Sequence, residues 1–183
     1  EESRAFLAAH ADAARDAAVA ILTGSLPTAT PVSYYRSLMQ RTPCPAILDF
    51  RGEGLLSVLD LKPFLVKPNR HELAATAGRP LGTDEDLLAA MRSLNGRGAH
   101  WVVVTQGAGP VWITSKTETH RLLPEPIEDI VNPIASGDAM AAAIAWATAS
   151  GKTVPDAVAL GIAAAAQNAR QLLPCRLDPA RLT

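Results

Sequence analysis

The chain has 183 residues, of which 48% are hydrophobic and 19% charged, and its 17 basic and 18 acidic side chains leave a net charge of -1. This composition excludes a disordered chain, and the near-zero charge offers no basic surface for nucleic acid or anionic lipid. Because no long uncharged apolar stretch is present, we expect no membrane span and predict one cytoplasmic domain.

Predicted helices and short apolar strands alternate along the chain. They are assigned from the spacing of apolar residues and from turn-forming Gly and Pro. In chain order they are helix 6–18, strand 19–22, helix 31–39, strand 46–49, strand 64–67, helix 69–77, helix 84–94, strand 101–105, strand 111–114, helix 138–149 and helix 155–173. Short strands without polar alternation, separated by helices, predict an α/β fold with a mainly parallel sheet covered on both faces.

The loops that follow the parallel strands are the predicted location of the functional site. Ligands of such sheets bind at the carboxyl ends of the strands. We therefore expect the loops after Leu22, Leu48, Val66 and Thr105 to line one edge of the sheet.

The segment 131–140 carries the strongest chemical signal, because small residues there lead directly into an apolar helix. Small side chains leave backbone N–H groups uncovered, and together with a helix N-terminus these groups suit an anion such as a transferring phosphate. Asp138 lies in the first predicted turn, where the helix dipole favours a negative charge, and is suited to accept a hydroxyl proton. The alternative is that Ser136 or Asp138 only caps the helix.

Segment 132–139 resembles the second signature of the ribokinase-like (PfkB) carbohydrate kinases, and it is most similar to the branch of tagatose-6-phosphate kinases and 1-phosphofructokinases. Four further segments resemble motifs of that branch in the same order. They are residues 23–27, 48–49, 67–72 and 105–107, and Asn168 falls where the branch has an asparagine near the adenine. The resemblance implies a three-layer α/β/α fold, with residues 1–183 forming the C-terminal nucleotide-binding and base-carrying part.

The resemblance also implies an activity, namely transfer of the ATP γ-phosphate to a hydroxyl of a sugar or sugar phosphate. Asp138 would be the general base, and the backbone of Ala135, Ser136 and Gly137 would form an anion hole. Thr105, Gly107 and Asn168 would contact the nucleotide. Asn69 and Glu72 would influence Mg²⁺ and phosphate through water, and no direct metal ligand is implied.

Each residue on the nucleotide side also has a purely structural interpretation. Asn69 and Glu72 have the spacing of a helix-capping box, and this role is compatible with the other. Thr105 and Gly107 also fit a turn that ends a strand. Asn168 also fits a solvent-facing position on an alanine-rich helix.

Three residues depart from the family pattern. Ala135 stands where the family has a glycine, and a positive φ there would cost alanine about 1 kcal/mol. Pro110 stands where a second glycine of the nucleotide loop is usual. Arg51 replaces a small residue, and it either meets a substrate phosphate or lies in solvent.

Nothing in the chain resembles the family's N-terminal half, which carries a β-rich lid, most sugar contacts and often a dimer interface. Because the chain also begins with Glu1, we expect a truncated kinase whose homodimer contact and sugar contacts lie in that absent part. The competing hypothesis is a catalytically weak relative that binds nucleotide or sugar phosphate as a sensor or interaction module.

Overall fold

A six-stranded sheet forms the centre of the protein, whose computed structural model describes residues 1–182. The strands are β1 (Ala20–Thr23), β2 (Ala46–Asp49), β3 (Leu65–Val66), β4 (Trp101–Val104), β5 (Val111–Thr114) and β6 (Thr119–Leu122). The α-helices of this range are α1 (Glu2–Arg15), α2 (Ser33–Met39), α3 (Gly52–Leu56), α4 (Arg70–Ala77), α5 (Asp84–Arg97), α6 (Ser136–Ala149) and α7 (Val154–Ala169). Short 3₁₀ turns lie at Leu59–Leu61 and Pro179–Arg181.

The strands lie side by side in chain order, with β1 to β4 parallel and β5 and β6 antiparallel at one edge. Right-handed crossovers that all step in the same direction place their connecting helices on one face of a sheet. Helices α2 to α5 accordingly share a core with one face, and α6 and α7 share a core with the other. This arrangement confirms the predicted α/β fold with a mainly parallel sheet between two helical layers.

The parallel strands are buried on both sides. Leu48 and Val66 point into the core shared with α2 to α5, whereas Ile47 and Leu65 point into the core shared with α6 and α7. All four side chains have no exposed surface. Burial on both faces explains why the sequences of these strands are unbroken apolar runs.

The structure corrects the bounds of the predicted helices by one to four residues, most of all in the first and the last. The first helix spans Glu2–Arg15 instead of 6–18, because the chain needs the following residues to reach β1. The last ends at Ala169 instead of residue 173, because the Ala169 carbonyl accepts hydrogen bonds from the backbone N–H groups of Val131 and Asn132. The sequence therefore misplaced the end of α7, where two distant segments meet.

Two elements were absent from the predictions. Helix α3 is a five-residue helix containing two glycines, and β6 is an edge strand with alternating exposure and the sequence Thr-His-Arg-Leu. Neither has the apolar run on which the assignment of buried elements depended. No helix within residues 1–182 is both long enough and apolar enough to span a membrane.

Candidate active site

A pocket opens at the carboxyl ends of β1 to β4, beside the N-termini of α4 and α6. The residues at the ends of these strands, and directly after them, that line it are Thr23, Gly24, Ser25, Asp49, Phe50, Arg51, Lys67, Asn69, Thr105 and Gly107. The first turn of α6 contributes Ser136, Gly137 and Asp138. The structure thus confirms that the four loops predicted from the parallel strands line one site.

The N-terminus of α6 has no side-chain cap. Ala135 occupies the N-cap position in the left-handed region, with φ 61° and ψ 13°. Because neither Ser136 nor Asp138 forms a capping hydrogen bond, the interpretation of these residues as helix caps is wrong. The strained conformation anticipated for Ala135 is present.

The backbone N–H groups of this turn are unequally available. Ser136 N–H donates to the Pro133 carbonyl at 3.2 Å. Within residues 1–182, the N–H groups of Ala135, Gly137 and Asp138 have no hydrogen-bond partner. Of the predicted anion hole, Ala135 and Gly137 therefore present free donors, whereas the Ser136 donor is engaged.

The Asp138 carboxylate is exposed at the mouth of the pocket. Thr23 Oγ1, at the end of β1, donates a hydrogen bond to Asp138 Oδ1 at 3.3 Å. No hydrogen bond within the described range engages Oδ2. One carboxylate oxygen is thus oriented by the sheet edge, and the other is open to the pocket.

A buried ion pair lies beneath this turn. Lys67 Nζ is 2.8 Å from Asp49 Oδ2, and the two side chains are only 4% and 14% exposed. Burial raises the pKa of the Asp49 carboxyl, the Lys67 ammonium opposes that rise, and the nearby charges of Glu72 and Asp138 add to it. Two charges are rarely buried unless each has a partner.

Lys67 also faces the α6 N-terminus. A Cβ atom built on Gly137 would lie 3.6 Å from Lys67 Nζ, so the ammonium borders the turn that carries the free N–H groups. Sequence reasoning used Lys67 only as part of a motif and did not assign it a role. The available signal was a lysine directly after a buried strand, because an ammonium in that position requires an anionic partner.

Asn69 and Glu72 form a complete capping box at the N-terminus of α4. The Asn69 side chain accepts from Glu72 N–H, and Glu72 Oε2 accepts from Asn69 N–H, both at 2.9 Å. Glu72 Oε1 lies 3.9 Å from Nη1 of Arg51, whose side chain is 65% exposed. The capping role is therefore present, and Glu72 keeps one oxygen near the pocket.

Thr105 and Gly107 belong to a tight turn after β4. The Thr105 carbonyl accepts from Arg70 N–H at 3.0 Å, and Gln106 Nε2 donates to the Pro110 carbonyl at 2.9 Å. Gly107 has φ 61°, and no atom lies within 4 Å of a Cβ built on it. The turn is thus a real structural element, and it leaves open space through which a ligand can approach the Gly107 backbone.

Asn168 is buried near the C-terminal end of α7. Its side chain has no exposed surface, so the solvent-facing interpretation is wrong, whereas the predicted contact of Asn168 with the nucleotide stays a prediction. Asn168 Nδ2 donates to the Ile134 carbonyl at 2.8 Å and to Ser136 Oγ at 3.0 Å. Asn168 Oδ1 accepts from Cys175 N–H at 2.7 Å.

The carboxylates of the pocket do not form a protein cage for a metal ion, since residues 1–182 contain no group of three or more potential metal-ligating side chains placed to hold one. Mg²⁺ usually keeps several waters and binds one or two carboxylates together with substrate phosphates. Glu72 and Asp138 both face the pocket. The residues present therefore fit a water-mediated Mg²⁺ that arrives with a nucleotide.

Known proteins resemble most of this chain. A family model described as pfkB family carbohydrate kinase matches residues 1–180. The 1-phosphofructokinases of Escherichia coli and Haemophilus influenzae are 35% and 32% identical over 123 and 121 residues, which cover 65% and 66% of this chain. Phosphofructokinase-2 from Escherichia coli, solved in complex with fructose-6-phosphate, superposes with a TM-score of 0.79 at 26% identity over 90% of this chain.

The matched regions cover only part of those proteins, namely 39% of the Escherichia coli 1-phosphofructokinase, 38% of the Haemophilus influenzae one and 55% of the solved structure. The family model, in contrast, matches this chain from its first residue to residue 180. The fold, the order of the site loops and this match agree with one another. The chain belongs to the pfkB family of carbohydrate kinases.

Proposed function

We propose that this chain is the nucleotide-binding and base-carrying part of an ATP-dependent kinase that phosphorylates a hydroxyl of a sugar phosphate. Fructose 1-phosphate, fructose 6-phosphate and tagatose 6-phosphate form the substrate class. The similarity to 1-phosphofructokinases and to a fructose-6-phosphate complex supports this class. The sugar contacts and a homodimer contact are assigned to an N-terminal lid like that of the family.

One observation carries the proposal: a carboxylate with one open oxygen, free backbone donors and a buried ammonium meet at the first turn of α6. Asp138 supplies the carboxylate, Ala135 and Gly137 supply the N–H groups, and Lys67 supplies the ammonium. Phosphoryl transfer needs these components, because it depends on positioning and on stabilising charge at the phosphoryl oxygens.

In the proposed step, Asp138 Oδ2 accepts the proton of the acceptor hydroxyl while the hydroxyl oxygen forms a bond to the γ-phosphorus. The bond between the γ-phosphorus and the bridging oxygen breaks, and ADP leaves with that electron pair. Thr23 holds Oδ1 and so orients the carboxylate. The free N–H groups of Ala135 and Gly137, together with Lys67, stabilise the negative charge on the transferring group.

The side of the pocket between the β4–β5 turn and α7 is suited to the nucleobase. Its lining there is mostly apolar and includes Ala108, Val111, Met140, Ala163 and Ala166. An apolar lining with few polar groups is typical of sites that hold a planar ring. Thr105 and Gly107 line the same pocket, and the phosphates would extend from this surface toward the α6 turn.

Mg²⁺ supplies charge neutralisation of the nucleotide phosphates when bound. Glu72 is the residue proposed to hold its water shell, through the oxygen that the capping box leaves unused. Asn69 contributes by fixing the Glu72 backbone.

The proposal is tested by an ADP-release assay on the protein expressed from its complete gene. The acceptors are fructose 1-phosphate, fructose 6-phosphate and tagatose 6-phosphate. Asp138→Asn is expected to lower kcat by at least ~10²-fold, because it removes the base and preserves the shape. Asp156→Asn is the matched control, since Asp156 holds the same third position in the first turn of α7, outside the pocket lining.

Turnover that exceeds ATP hydrolysis and depends on Asp138 supports the kinase. Equal loss in both variants would contradict the base assignment. Nucleotide binding without turnover on any of the three acceptors or on unphosphorylated sugars would instead favour the sensor hypothesis, for which the left-handed Ala135 is the motivating observation.

A further inference from the structure

We propose that Asn168 is a positioning residue that holds residues 131–136 in their anion-binding conformation and makes no contact with the nucleotide. This inference rests on the proposed function, because it assigns Asn168 a role in phosphoryl transfer. It concerns a residue at the end of α7, more than 30 positions along the chain from the loop that it holds.

The first support is that both ends of the buried Asn168 amide are engaged within the protein. Both hydrogen bonds from Nδ2 go to the loop, at 2.8 Å to the Ile134 carbonyl and 3.0 Å to Ser136 Oγ. Oδ1 accepts from Cys175 N–H at 2.7 Å. With no exposed surface and three hydrogen bonds, this amide has no edge to offer a nucleobase.

The second support is the position of these bonds around Ala135. Ile134 and Ser136 are the two neighbours of Ala135, so Asn168 holds both sides of the residue with positive φ. Alanine disfavours the left-handed region, because its Cβ approaches the following carbonyl. A residue in such a conformation persists only where its surroundings impose it.

The third support is the wider attachment of the loop to the same end of α7. Val131 N–H and Asn132 N–H both donate to the Ala169 carbonyl, at 2.8 and 3.0 Å. Asn132 Nδ2 donates to the Leu172 carbonyl at 2.9 Å. The C-terminus of α7 therefore fixes the loop at several points, and Asn168 is the attachment closest to the anion site.

This arrangement has a consequence for the proposed reaction. The N–H groups of Ala135 and Gly137 must point at the phosphoryl group, and their direction depends on the backbone at Ala135. A misplacement of about 1 Å in a reacting geometry lowers turnover by roughly 10²-fold. Loss of Asn168 should therefore affect kcat much more than nucleotide binding.

The test compares Asn168→Ala with Asn95→Ala. Asn95 is a matched control, because it is also a buried asparagine, 2% exposed, whose amide is fully engaged. Its Nδ2 donates to the carbonyls of Ala99, His100 and Thr114, and its Oδ1 accepts from the Thr114 hydroxyl. It lies outside the pocket lining. Ser136→Ala is the milder variant, which removes one acceptor of Asn168 without touching the buried amide.

We expect Asn168→Ala to lower kcat by about 10- to 100-fold at a temperature well below its Tm. The KM for ATP and the ratio of kcat/KM between ATP and GTP should change by less than about twofold. Ser136→Ala should show the same pattern with a smaller loss. Asn95→Ala should lower Tm and leave kcat unchanged.

The sharpest measurement is the coupling between residues 168 and 135. Glycine accepts a positive φ without the Cβ penalty, so Ala135→Gly should restore about fivefold of the kcat lost in Asn168→Ala. Independent effects would simply multiply, because sites without shared partners are additive. A multiplicative double variant would therefore overturn the proposal.

Two further results would overturn it. Loss of the preference for ATP over GTP in Asn168→Ala would show an adenine contact. An equal kcat loss in Asn95→Ala would show that the loss comes from general destabilisation of the fold. Amide hydrogen exchange of residues 131–138 tests the attachment without any turnover, and faster exchange is expected in Asn168→Ala but not in Asn95→Ala. If the parent protein neither binds ADP nor phosphorylates any acceptor, the proposed function fails. Unchanged amide exchange of residues 131–138 in Asn168→Ala would separately contradict the role of Asn168.

Discussion

The N-termini of α4 and α6 lie at the same pocket, but they are built in opposite ways. At α4, the side chains of Asn69 and Glu72 satisfy each other's backbone N–H groups within four residues of sequence. At α6, no side chain caps the helix, and the left-handed Ala135 is held by Asn168 from another helix.

The two helix ends differ in whether the chain itself satisfies their backbone N–H groups. A helix leaves its first N–H groups unsatisfied, and a cap satisfies some of them with the chain itself. The α4 turn is thus stable without a ligand. The α6 turn keeps donors available for an anion, and its conformation depends on distant contacts.

Lys67 lies two residues before the α4 cap and borders the α6 turn. Its replacement should give the largest effect on stability. In Lys67→Met the buried Asp49 loses its partner, and we expect the free energy of unfolding to fall by about 3–5 kcal/mol at pH 7. Urea denaturation measures this loss. Lys152→Met, at an exposed lysine between α6 and α7, should be neutral.

The same variant has a predicted pH dependence. Burial raises the pKa of Asp49 in the folded state, and removal of Lys67 should raise it further. The folded state then binds a proton at a higher pH than the unfolded state does, so lowering the pH favours folding. The stability deficit of Lys67→Met should shrink between pH 7 and pH 5, and a constant deficit would show that Asp49 is not its cause.

A methyl group on Gly137 should separate stability from activity. The added Cβ would contact Lys67 Nζ at 3.6 Å without a clash, and alanine stabilises a helical position by about 0.5–1 kcal/mol over glycine. The methyl would occupy the space between the free donors and the ammonium. We expect Gly137→Ala to keep or raise Tm and to lower kcat by about 10²-fold.

Gly96→Ala is the matched control for this variant, because Gly96 also lies in a helix and has open space around its Cβ position. It should gain stability without any change in kcat. Full activity in Gly137→Ala would show that the phosphoryl group does not pass between residue 137 and Lys67.

Changes in the α4 capping box should have the smallest effects. Asn69→Ala should cost about 1 kcal/mol of stability, as should Thr83→Ala at the similar capping box of α5. Glu72→Gln preserves the box, because glutamine also completes it. It should leave Tm unchanged and raise the Mg²⁺ concentration needed for half-maximal turnover by about tenfold.

An unchanged Mg²⁺ requirement in Glu72→Gln would reduce Asn69 and Glu72 to a structural role alone. Asn69→Asp replaces the amide of residue 69 but keeps the helix cap, since aspartate is an equally good N-cap. Its stability should match that of the parent protein.

The sequence predicted the features that depend on local patterns. The apolar runs at β2, β3 and β4 identified a parallel sheet, because strands buried on both faces leave no polar alternation. The spacing of Asn69 and Glu72 predicted the capping box, whose partners are three residues apart. The edge strand β6 and the short helix α3 were missed, because neither carries a strong local pattern.

The features that join distant segments appeared only in the tertiary structure. Three contacts link residues 18 to 115 positions apart. They are the ion pair of Lys67 with Asp49, the hydrogen bond from Thr23 to Asp138 and the hydrogen bond from buried Asn168 to Ile134. The sequence by itself determined the fold class and the segment that carries the proposed base. The tertiary structure decided which donors of that segment are free, because hydrogen bonds from Asn168 in α7 hold both neighbours of Ala135 and no local pattern announces them.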